Sequence, residues 1–486
     1  MLRTRDRVAS SDRAVPYRLL NSIECDVPYP TPMNDLTTGP IARHIVRMAL
    51  PMAFGMLFQT AYLLIDLYFV AGLGNAALAG VSSAGTLQYI VMAVTQVLGV
   101  GTVSLIAQAS GRKDRADATL VLNQSLFLSL IGFIATLVLG FALMGTYLHA
   151  MAADAATAEA GRRYLLAFVP ALAMQFALIT LGSALRGTGV AKPGMLIQIG
   201  TVLLNAILAP VLIAGWGTGH PLGTLGAGLA SAISISAGVV AGWLYFLSGD
   251  RYAKLDRAQM APRREPILRL LRIGLPSGAE FLLLFVLTGL MYIIIRPFGA
   301  AAQAGYGLGA RVMQSIFLPA MAVAFAASPV AGQNVGAGEE SRVRETFRMA
   351  VLIGGAVMLI ATIVAQMESD RMLALFTREP AVIAVGAAFL HIAAFNFISQ
   401  GLIFTCSGMF QALGNTIPSL ISGASRLVTF ALPALWLSRQ PNFTMQQVWW
   451  LSVATVTLQA VFSVWLLLGE FRKRTGRAAV PAAVAA

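Results

Sequence analysis

The chain alternates between long apolar runs and short segments that are polar or contain Gly and Pro. A helix that crosses a bilayer needs about 20 largely apolar residues, and each of these runs is long enough. The runs lie at 44–73, 83–108, 118–148, 161–188, 193–213 and 224–248, and again at 267–296, 302–334, 341–366, 385–412, 416–439 and 445–471. The pattern predicts an all-α integral membrane protein with twelve transmembrane helices.

The composition agrees with this prediction. Hydrophobic residues make up 57% of the 486 residues and charged residues only 11%, and the mean hydropathy is +0.75. Soluble domains carry about 25% charged residues. A soluble protein is therefore excluded, because no core could hide so much apolar surface from water.

The basic residues indicate which helix ends face the cytoplasm. Cytoplasmic loops carry an excess of Lys and Arg. With the N-terminus in the cytoplasm, 26 of the 34 basic residues lie on that side and six on the other, while Arg311 and Arg426 fall inside apolar runs. This distribution predicts an inner-membrane protein with both termini in the cytoplasm. It also explains the net charge of +13 without a nucleic-acid-binding surface.

The second half of the chain repeats the first at a constant offset of 225 residues. The pairs at this offset include Pro51 and Pro276, Gln108 and Gln333, Gly111 and Gly336, Gly189 and Gly414, and Pro193 and Pro418. Each half holds six predicted spans, an even number, so both halves enter the membrane in the same sense. Transporters built from such parallel repeats bind substrate between the halves. We therefore predict a two-lobed transporter.

These patterns divide the chain into five parts. Residues 1–40 form a basic tail that we expect to be disordered, 41–248 the N-terminal six-helix lobe, 249–266 a cytoplasmic linker, 267–471 the C-terminal six-helix lobe, and 472–486 a cytoplasmic tail. Because both lobes belong to one chain, assembly of a second copy is not needed to complete the repeat. We therefore expect a monomer.

The motifs of several catalytic and cofactor chemistries are missing. None of the four lysines precedes Ser or Thr, so the sequence has no P-loop for ATP. The four histidines are scattered, and Cys25 and Cys406 lack the spacing of metal ligands. We predict no enzyme activity, no cofactor and no metal, and a transporter that draws on an ion gradient. A membrane-embedded enzyme is an alternative with little support.

One charged side chain, Asp66, lies well inside the first apolar run, toward its outer end. A charge in hydrocarbon costs a few kcal/mol and usually has a function. Gln59, Tyr62 and Asp66 share one helix face because they are spaced i, i+3 and i+7, whereas the equivalent of Asp66 in the second half is Met291. A carboxyl group among apolar neighbours can take up and release a proton near neutral pH. Asp66 is therefore the predicted ion-coupling residue.

Four other polar residues in the spans allow two interpretations each. Glu280 and Arg426 should lie at similar depth, either as a structural ion pair or as a site in which Glu280 is a second carboxylate for ion or substrate. Gln175 and Gln400 are equivalent in the two halves, and they either line a central cavity or join neighbouring helices.

The sequence resembles the multidrug and toxic compound extrusion (MATE) family. The resemblance rests on LPMAFGMLFQTAYLLIDLYFVAGLG, LRGTGVAKPG, LGAGLASAIS and VAGQNVGAG, in their order and spacing, and extends over 41–471. It implies two six-helix bundles around a central cavity, with export of cationic or amphipathic compounds in exchange for protons or sodium. Our candidates for the cavity wall are Gln59, Gln175, Met291 and Gln400.

The resemblance also implies an ion site in the N-terminal lobe. Asp66 stands where many prokaryotic members have a coupling Asp, and Tyr62 and Asn205 match further residues of that network. Ser231 stands where a Thr is common. These four residues are the predicted ion site.

The sequence departs from the family pattern at three positions. Ala209 replaces an Asp that often follows the span-5 Asn, and Leu284 and Gln400 stand where another branch has acids. Because these departures leave few oxygen ligands for sodium, we favour protons as the coupling ion over Na⁺. The alternative function is a lipid-linked precursor flippase of the same wider superfamily, which should have more cationic residues in its cavity.

Overall fold

The computed structural model describes residues 33–151, 154–217, 219–249 and 251–478, without the side chains of 61–64, 67 and 475–478. Within these residues the regular structure is helical. The helices are α1 Ile41–Ala71, α2 Asn75–Gly85, α3 Leu87–Gly111, α4 Arg115–Met151, α5 Ala155–Gly187, α6 Ala191–Ile213, α7 Thr224–Leu247, α8 Arg264–Ile295, α9 Ala300–Ala337, α10 Glu340–Ala374, α11 Pro380–Ala393, α12 Asn396–Leu413, α13 Ile417–Leu437 and α14 Met445–Ala478.

These helices form the predicted number of membrane spans. In the described chain, eleven helices or helix pairs are long and apolar enough to cross a bilayer, and α11 with α12 makes a twelfth that is bent by 58°. Helices α2 and α3 together form one span of 37 residues. The predicted fold class is therefore confirmed. We call α1–α7 the first lobe and α8–α14 the second lobe.

At one end of the helices, side chains of the helix ends donate hydrogen bonds to the neighbouring loops and helix ends. Asn123 Nδ2 of α4 donates to Lys254 O of the linker at 2.9 Å, and Arg474 Nη2 of α14 donates to Leu413 O. We call this end the termini face. It comprises the start of α1, the loops before α4, α6, α8, α10 and α13, and the end of α14.

At the termini face the two lobes are joined by a reciprocal pair of glutamines. Gln108 Nε2 of α3 donates to Ala412 O of α12 at 2.9 Å, and Gln333 Nε2 of α9 donates to Gly187 O of α5 at 3.3 Å. Donors and acceptors of the two bonds are related by the offset of 225. We call this pair the glutamine clasp, and it shows that the repeat organises the contact between the lobes.

Two glycines let the backbones meet at the clasp. A Cβ atom on Gly111 would lie 1.9 Å from Gln333 O, and one on Gly336 would lie 2.0 Å from Gln108 O. Because both obstacles are backbone atoms, no side-chain rotation could make room. This close approach requires glycine at both positions.

The residues just before α1 run across both lobes at the termini face. We call residues 33–40 the strap. Asn34 Nδ2 donates to Gly189 O of the first lobe at 2.9 Å, and Leu36 N donates to Gln333 Oε1 of the second lobe at 3.0 Å. Leu36 is only 3% exposed. The expected disorder of this part of the tail is therefore wrong, while residues 1–32 lie outside the described residues.

Candidate functional site

The predicted coupling residue, Asp66, is buried near the end of α1 that lies away from the termini face. Its side chain is 7% exposed, and its Oδ1 has no hydrogen-bond partner among the described residues. Val70, one turn later, lies in an apolar cluster with Ala209 of α6 and Ala227 of α7. Three helices of the first lobe therefore enclose the region around this carboxyl group.

Helices α1 and α6 lie side by side in the same direction. Gly55, in the middle of α1, approaches Gln198 Cγ of α6, at 4.0 Å for an added Cβ, while Val70 and Ala209 share the apolar cluster farther along. This register brings Asp66 to the turn of α6 that contains Asn205.

Asn205 is buried without satisfying its amide. It is 0% exposed, and neither its Nδ2 nor its Oδ1 has a partner among the described residues. An unsatisfied buried polar group costs about 1–3 kcal/mol, so the fold retains Asn205 at a cost. Such a cost is typical of a residue that is needed for binding or coupling.

Helix α7 adds hydroxyl groups to this region. Two of its glycines touch α6 and fix the register of the pair, Gly226 at Leu212 and Gly238 at Thr201. Between these two contacts, Asn205 of α6 lies at the same level as Ser234 of α7, and Ser231 lies one turn of α7 away. Both serines are fully buried, and Ser234 Oγ has no partner in the described chain.

Three of the four predicted ion-site residues, Asp66, Asn205 and Ser231, are buried in the first lobe, and their joint role as an ion site stays a prediction. The side chain of Tyr62 lies outside the described residues. Sequence reasoning missed Ser234, because a serine in a span carries no charge. Its spacing of i+3 from Ser231 was the available signal.

The second lobe holds a different carboxyl site around Glu280 of α8. Ser419 Oγ donates to Glu280 Oε2 at 2.7 Å, and Ser407 Oγ donates to the same oxygen at 3.2 Å. The two serines are also hydrogen-bonded to each other at 3.1 Å. Neither serine was found from the sequence, since their alignment with Glu280 depends on how α8, α12 and α13 pack.

Glu280 and Arg426 line one small cavity of about 30 Å³ together with Gln400 and Gln459. In the described structure no salt bridge joins Glu280 to Arg426, and Arg426 Nε has no partner. The ion-pair interpretation is therefore not realised here, because the serines bind the carboxylate instead. The interpretation of Glu280 as a second functional carboxylate stays a prediction.

Two of the four residues expected to line one substrate cavity, Met291 and Gln400, have different surroundings. Gln400 borders the cavity of Glu280, whereas Met291 is packed in an apolar cluster of the second lobe. Gln59 is exposed and Gln175 is half-buried. Met291 is therefore a core residue here, because α8 turns this position toward α9 and α13.

No group of three or more His, Cys, Asp or Glu residues in the described ranges could hold a metal ion. The site chemistry consists of isolated buried carboxyl groups with amide and hydroxyl neighbours. In a duplicated bundle of twelve spans, this arrangement defines a membrane transporter.

The MatE family model matches residues 51–211 and 276–437, one match in each repeat, and the two matches start 225 residues apart. The chain belongs to this family of bacterial membrane transporters.

Curated relatives match nearly the whole chain. Multidrug export protein MepA of Staphylococcus aureus is 24% identical over 440 residues, covering 88% of this chain and 94% of MepA. Two Bacillus subtilis proteins, the probable multidrug resistance proteins YpnP and YoeA, are 26% and 28% identical, covering 85% and 82% of this chain and 90% and 85% of their own. These relatives are transporters and not enzymes.

Solved structures share the fold. A crystal structure of MATE in the straight conformation has a TM-score of 0.83 at 25% identity and covers 90% of this chain and 98% of its own. A crystal structure of MATE in the bent conformation has a TM-score of 0.85 at 24% identity, with 92% and 98% covered. The likeness extends over both lobes.

Proposed function

We propose that this protein is a secondary antiporter that exports amphipathic or cationic molecules in exchange for protons, with Asp66 as the coupling residue. The observation that carries the proposal is the buried, unpartnered carboxyl oxygen of Asp66 in the first lobe, whose helix α6 also holds the buried, unsatisfied amide of Asn205. The names of the curated relatives, which are multidrug export and resistance proteins, support the substrate class.

The coupling step is a change in protonation of one carboxyl group. When Asp66 takes up a proton, a charge is removed from an apolar region, and the packing of α1 against α6 no longer has to accommodate it. When the proton leaves, the ionised carboxylate needs hydrogen-bond donors, and the first lobe holds two buried donors without a partner among the described residues, Asn205 Nδ2 and Ser234 Oγ. The two states therefore favour different arrangements of α1, and alternating access follows from their exchange.

Sodium is the alternative coupling ion. Asp66, Asn205, Ser231 and Ser234 together offer only a small set of oxygen ligands from side chains, and Ala209 adds none. A proton needs one carboxyl oxygen and no coordination shell. We therefore favour protons.

The termini face is proposed as the cytoplasmic face, since it carries most of the basic loop residues. With this orientation Asp66 lies toward the outer side of an inner membrane. Protons would then reach it from outside and leave it toward the cytoplasm, which is the direction that drives export.

The test is transport in proteoliposomes with an imposed pH gradient and a fluorescent lipophilic cation, comparing wild type, Asp66→Asn and Glu280→Gln. We expect the wild type to move the dye against its gradient and Asp66→Asn to lose this activity, because an amide cannot exchange the proton. Glu280→Gln neutralises the buried carboxyl group of the other lobe for comparison: retained transport assigns coupling to Asp66, and lost transport makes Glu280 a second functional carboxylate.

Undiminished transport by Asp66→Asn would overturn the role of Asp66. If wild type responds to a sodium gradient and not to a pH gradient, the coupling ion is Na⁺. If no dye moves under either gradient, export of lipophilic cations is contradicted, and the lipid flippase becomes the reading to test.

A further inference from the structure

A cavity of about 550 Å³ opens at the termini face between the two lobes. Leu105 and Gln108 of the first lobe form one side. The second lobe forms the rest with the start of α8, the loop between α12 and α13, and the end of α14. The cavity thus lies against the Gln108 half of the glutamine clasp and is bounded by both lobes.

The wall of this cavity carries an excess of positive charge. Four cationic residues line it, Arg269, Arg272, Lys473 and Arg474, against one carboxylate, Glu470. Glu470 is bound by Lys473 at 2.6 Å.

Of the remaining cations, Arg269 is bound by Asp117, at 3.0 Å from its Nη1. Arg272 is exposed and makes no ion pair or hydrogen bond within the described structure. The amino end of α13, which begins at Ile417, also borders the cavity. Arg272, an unpaired cation beside a helix amino end, favours an anionic group.

The internal repeat supplies an independent observation. Under the 225-residue offset, Gly414 of this cavity corresponds to Gly189, which lies on the other side of the clasp. There the strap fills the space: Asn34 N donates to Thr188 O at 3.2 Å, and Asn34 Nδ2 donates to Gly189 O at 2.9 Å. The equivalent place in the first lobe is thus a binding site for polar groups, and its occupant is the chain itself.

The linker does not cover the site next to Gly414 in the way that the strap covers the equivalent site next to Gly189. Its residues are held along α4, where Gln124 Nε2 donates to Gln259 O at 2.6 Å and to Ala261 O at 2.7 Å. Arg263 N donates back to Gln124 Oε1 at 2.9 Å. The linker therefore leaves the site next to Gly414 uncovered; there Arg474 donates to Leu413 O, the equivalent of Thr188 O, and the rest of the site is lined with cations.

We propose that this cavity binds a phosphate-bearing anion, either the headgroup of an anionic phospholipid or free phosphate. Arg272 and Lys473 hold the phosphate oxygens with charge-assisted hydrogen bonds, and the group lies where Gln108 ties the lobes together. Because Leu105 and Gln108 of the first lobe complete the wall of the cavity, the bound anion stabilises the conformation in which the termini face is closed. The cavity lies where α8 and α14 reach a membrane face, which gives a lipid headgroup direct access.

The test measures binding by the full-length protein in a neutral detergent, read as the shift of its thermal unfolding midpoint. The probes are dihexanoyl phosphatidylglycerol, dihexanoyl phosphatidylcholine and inorganic phosphate. The variant is Arg272→Gln/Lys473→Gln, which changes two exposed side chains. The control is Arg47→Gln, because Arg47 is the repeat equivalent of Arg272 and lies on the side that the strap occupies.

We expect phosphatidylglycerol to raise the midpoint saturably for wild type and Arg47→Gln, and phosphatidylcholine to have little effect. The double variant should bind at least about tenfold more weakly, since it loses two charge-assisted contacts. An equal response to inorganic phosphate at the same concentrations would support the proposal and identify the soluble anion as the source. No saturable shift with either anion, or an equal loss in Arg47→Gln, would overturn it.

Discussion

Asp66 and Glu280 are both buried carboxyl groups, but their hydrogen bonding differs. Glu280 accepts hydrogen bonds from two serines, whereas Asp66 Oδ1 accepts none among the described residues. Hydrogen bonds from neutral donors stabilise an ionised carboxylate, and their absence favours the protonated form. At the residue scale, the two lobes therefore differ in how their buried carboxyl groups are hydrogen-bonded, and the coupling role of Asp66 stays a proposal.

Replacing Asn205 should lower the transport activity without lowering the stability of the fold. Asn205→Leu removes an amide that has no described partner, so we expect the thermal unfolding midpoint to stay unchanged or to rise. Transport driven by a pH gradient should fall by about tenfold or more, because about 1.4 kcal/mol of lost stabilisation at the ion site has that effect. Unfolding in detergent and dye transport in proteoliposomes are the two measurements.

The matched control is the same substitution at a satisfied amide. Asn123 Nδ2 donates at 2.8 Å to Thr119 O and at 2.9 Å to Lys254 O, and its Oδ1 accepts from Asp256 N at 3.0 Å. Asn123→Leu should therefore lower the unfolding midpoint. If Asn205→Leu lowers it as much, Asn205 has a structural role instead.

At the scale of the helices, local signals define where elements begin and end. Asp154 is the N-cap of α5, and its side chain accepts a hydrogen bond at 2.7 Å from Thr157 N. This backbone hydrogen bond holds the pKa of the Asp154 carboxyl group below its ordinary value. Gly338 and Gly414 end α9 and α12 with φ of +78° and +73°, a conformation that favours glycine.

The cap predicts a pH-dependent contribution to stability. Because the pKa of Asp154 is lower in the folded protein, its stabilising effect is present above the ordinary carboxyl pKa near 4 and is lost as the pH falls through the lowered value. Asp154→Ala should therefore lower the unfolding midpoint at pH 7, and the difference from wild type should shrink toward pH 3. Thermal scans of both proteins across this range are the measurement.

Glu379 provides the control, since it is the N-cap of α11 but makes no side-chain cap bond. Glu379→Ala should leave the midpoint nearly unchanged at both pH values. A loss at Asp154 that persists undiminished at pH 3 would contradict the cap.

Helices could be predicted from the sequence because span length and hydropathy are local properties. The same held for Asp66, a charge in an apolar run. The partners of Glu280 and the bend between α11 and α12 could not be predicted, because they depend on how distant helices pack. The strap was missed because Met33 and Leu36, the apolar residues that pack it against the helices, lie next to a long polar tail.

At the scale of the molecule, the glutamine clasp determines how closely the lobes meet. Gly336→Ala would place a Cβ 2.0 Å from the backbone oxygen of Gln108, so the lobes must separate at the termini face. We expect this variant to shift the population toward conformations that are open there. Gly355→Ala is the control, since a Cβ at this position would meet nothing within 4 Å.

The measurement is the distance between spin labels on the exposed positions Lys192 and Arg348, one in each lobe, in a Cys25→Ser background. Gly336→Ala should lengthen or broaden the distribution, and Gly355→Ala should match the parent. Identical distributions in all three proteins would show that the clasp does not limit closure.

The strap reinforces only one of the two hydrogen bonds of the glutamine clasp. Gln333 is held by the first lobe and by Leu36, and Arg342 adds a hydrogen bond at 2.9 Å to Gly39 O. Gln108, which makes the other hydrogen bond of the glutamine clasp, borders an open cavity. The lobes would therefore separate first beside the cavity. Opening and closing would then be a rotation of one lobe against the other about an axis near the strap, and not a symmetric separation at both hydrogen bonds.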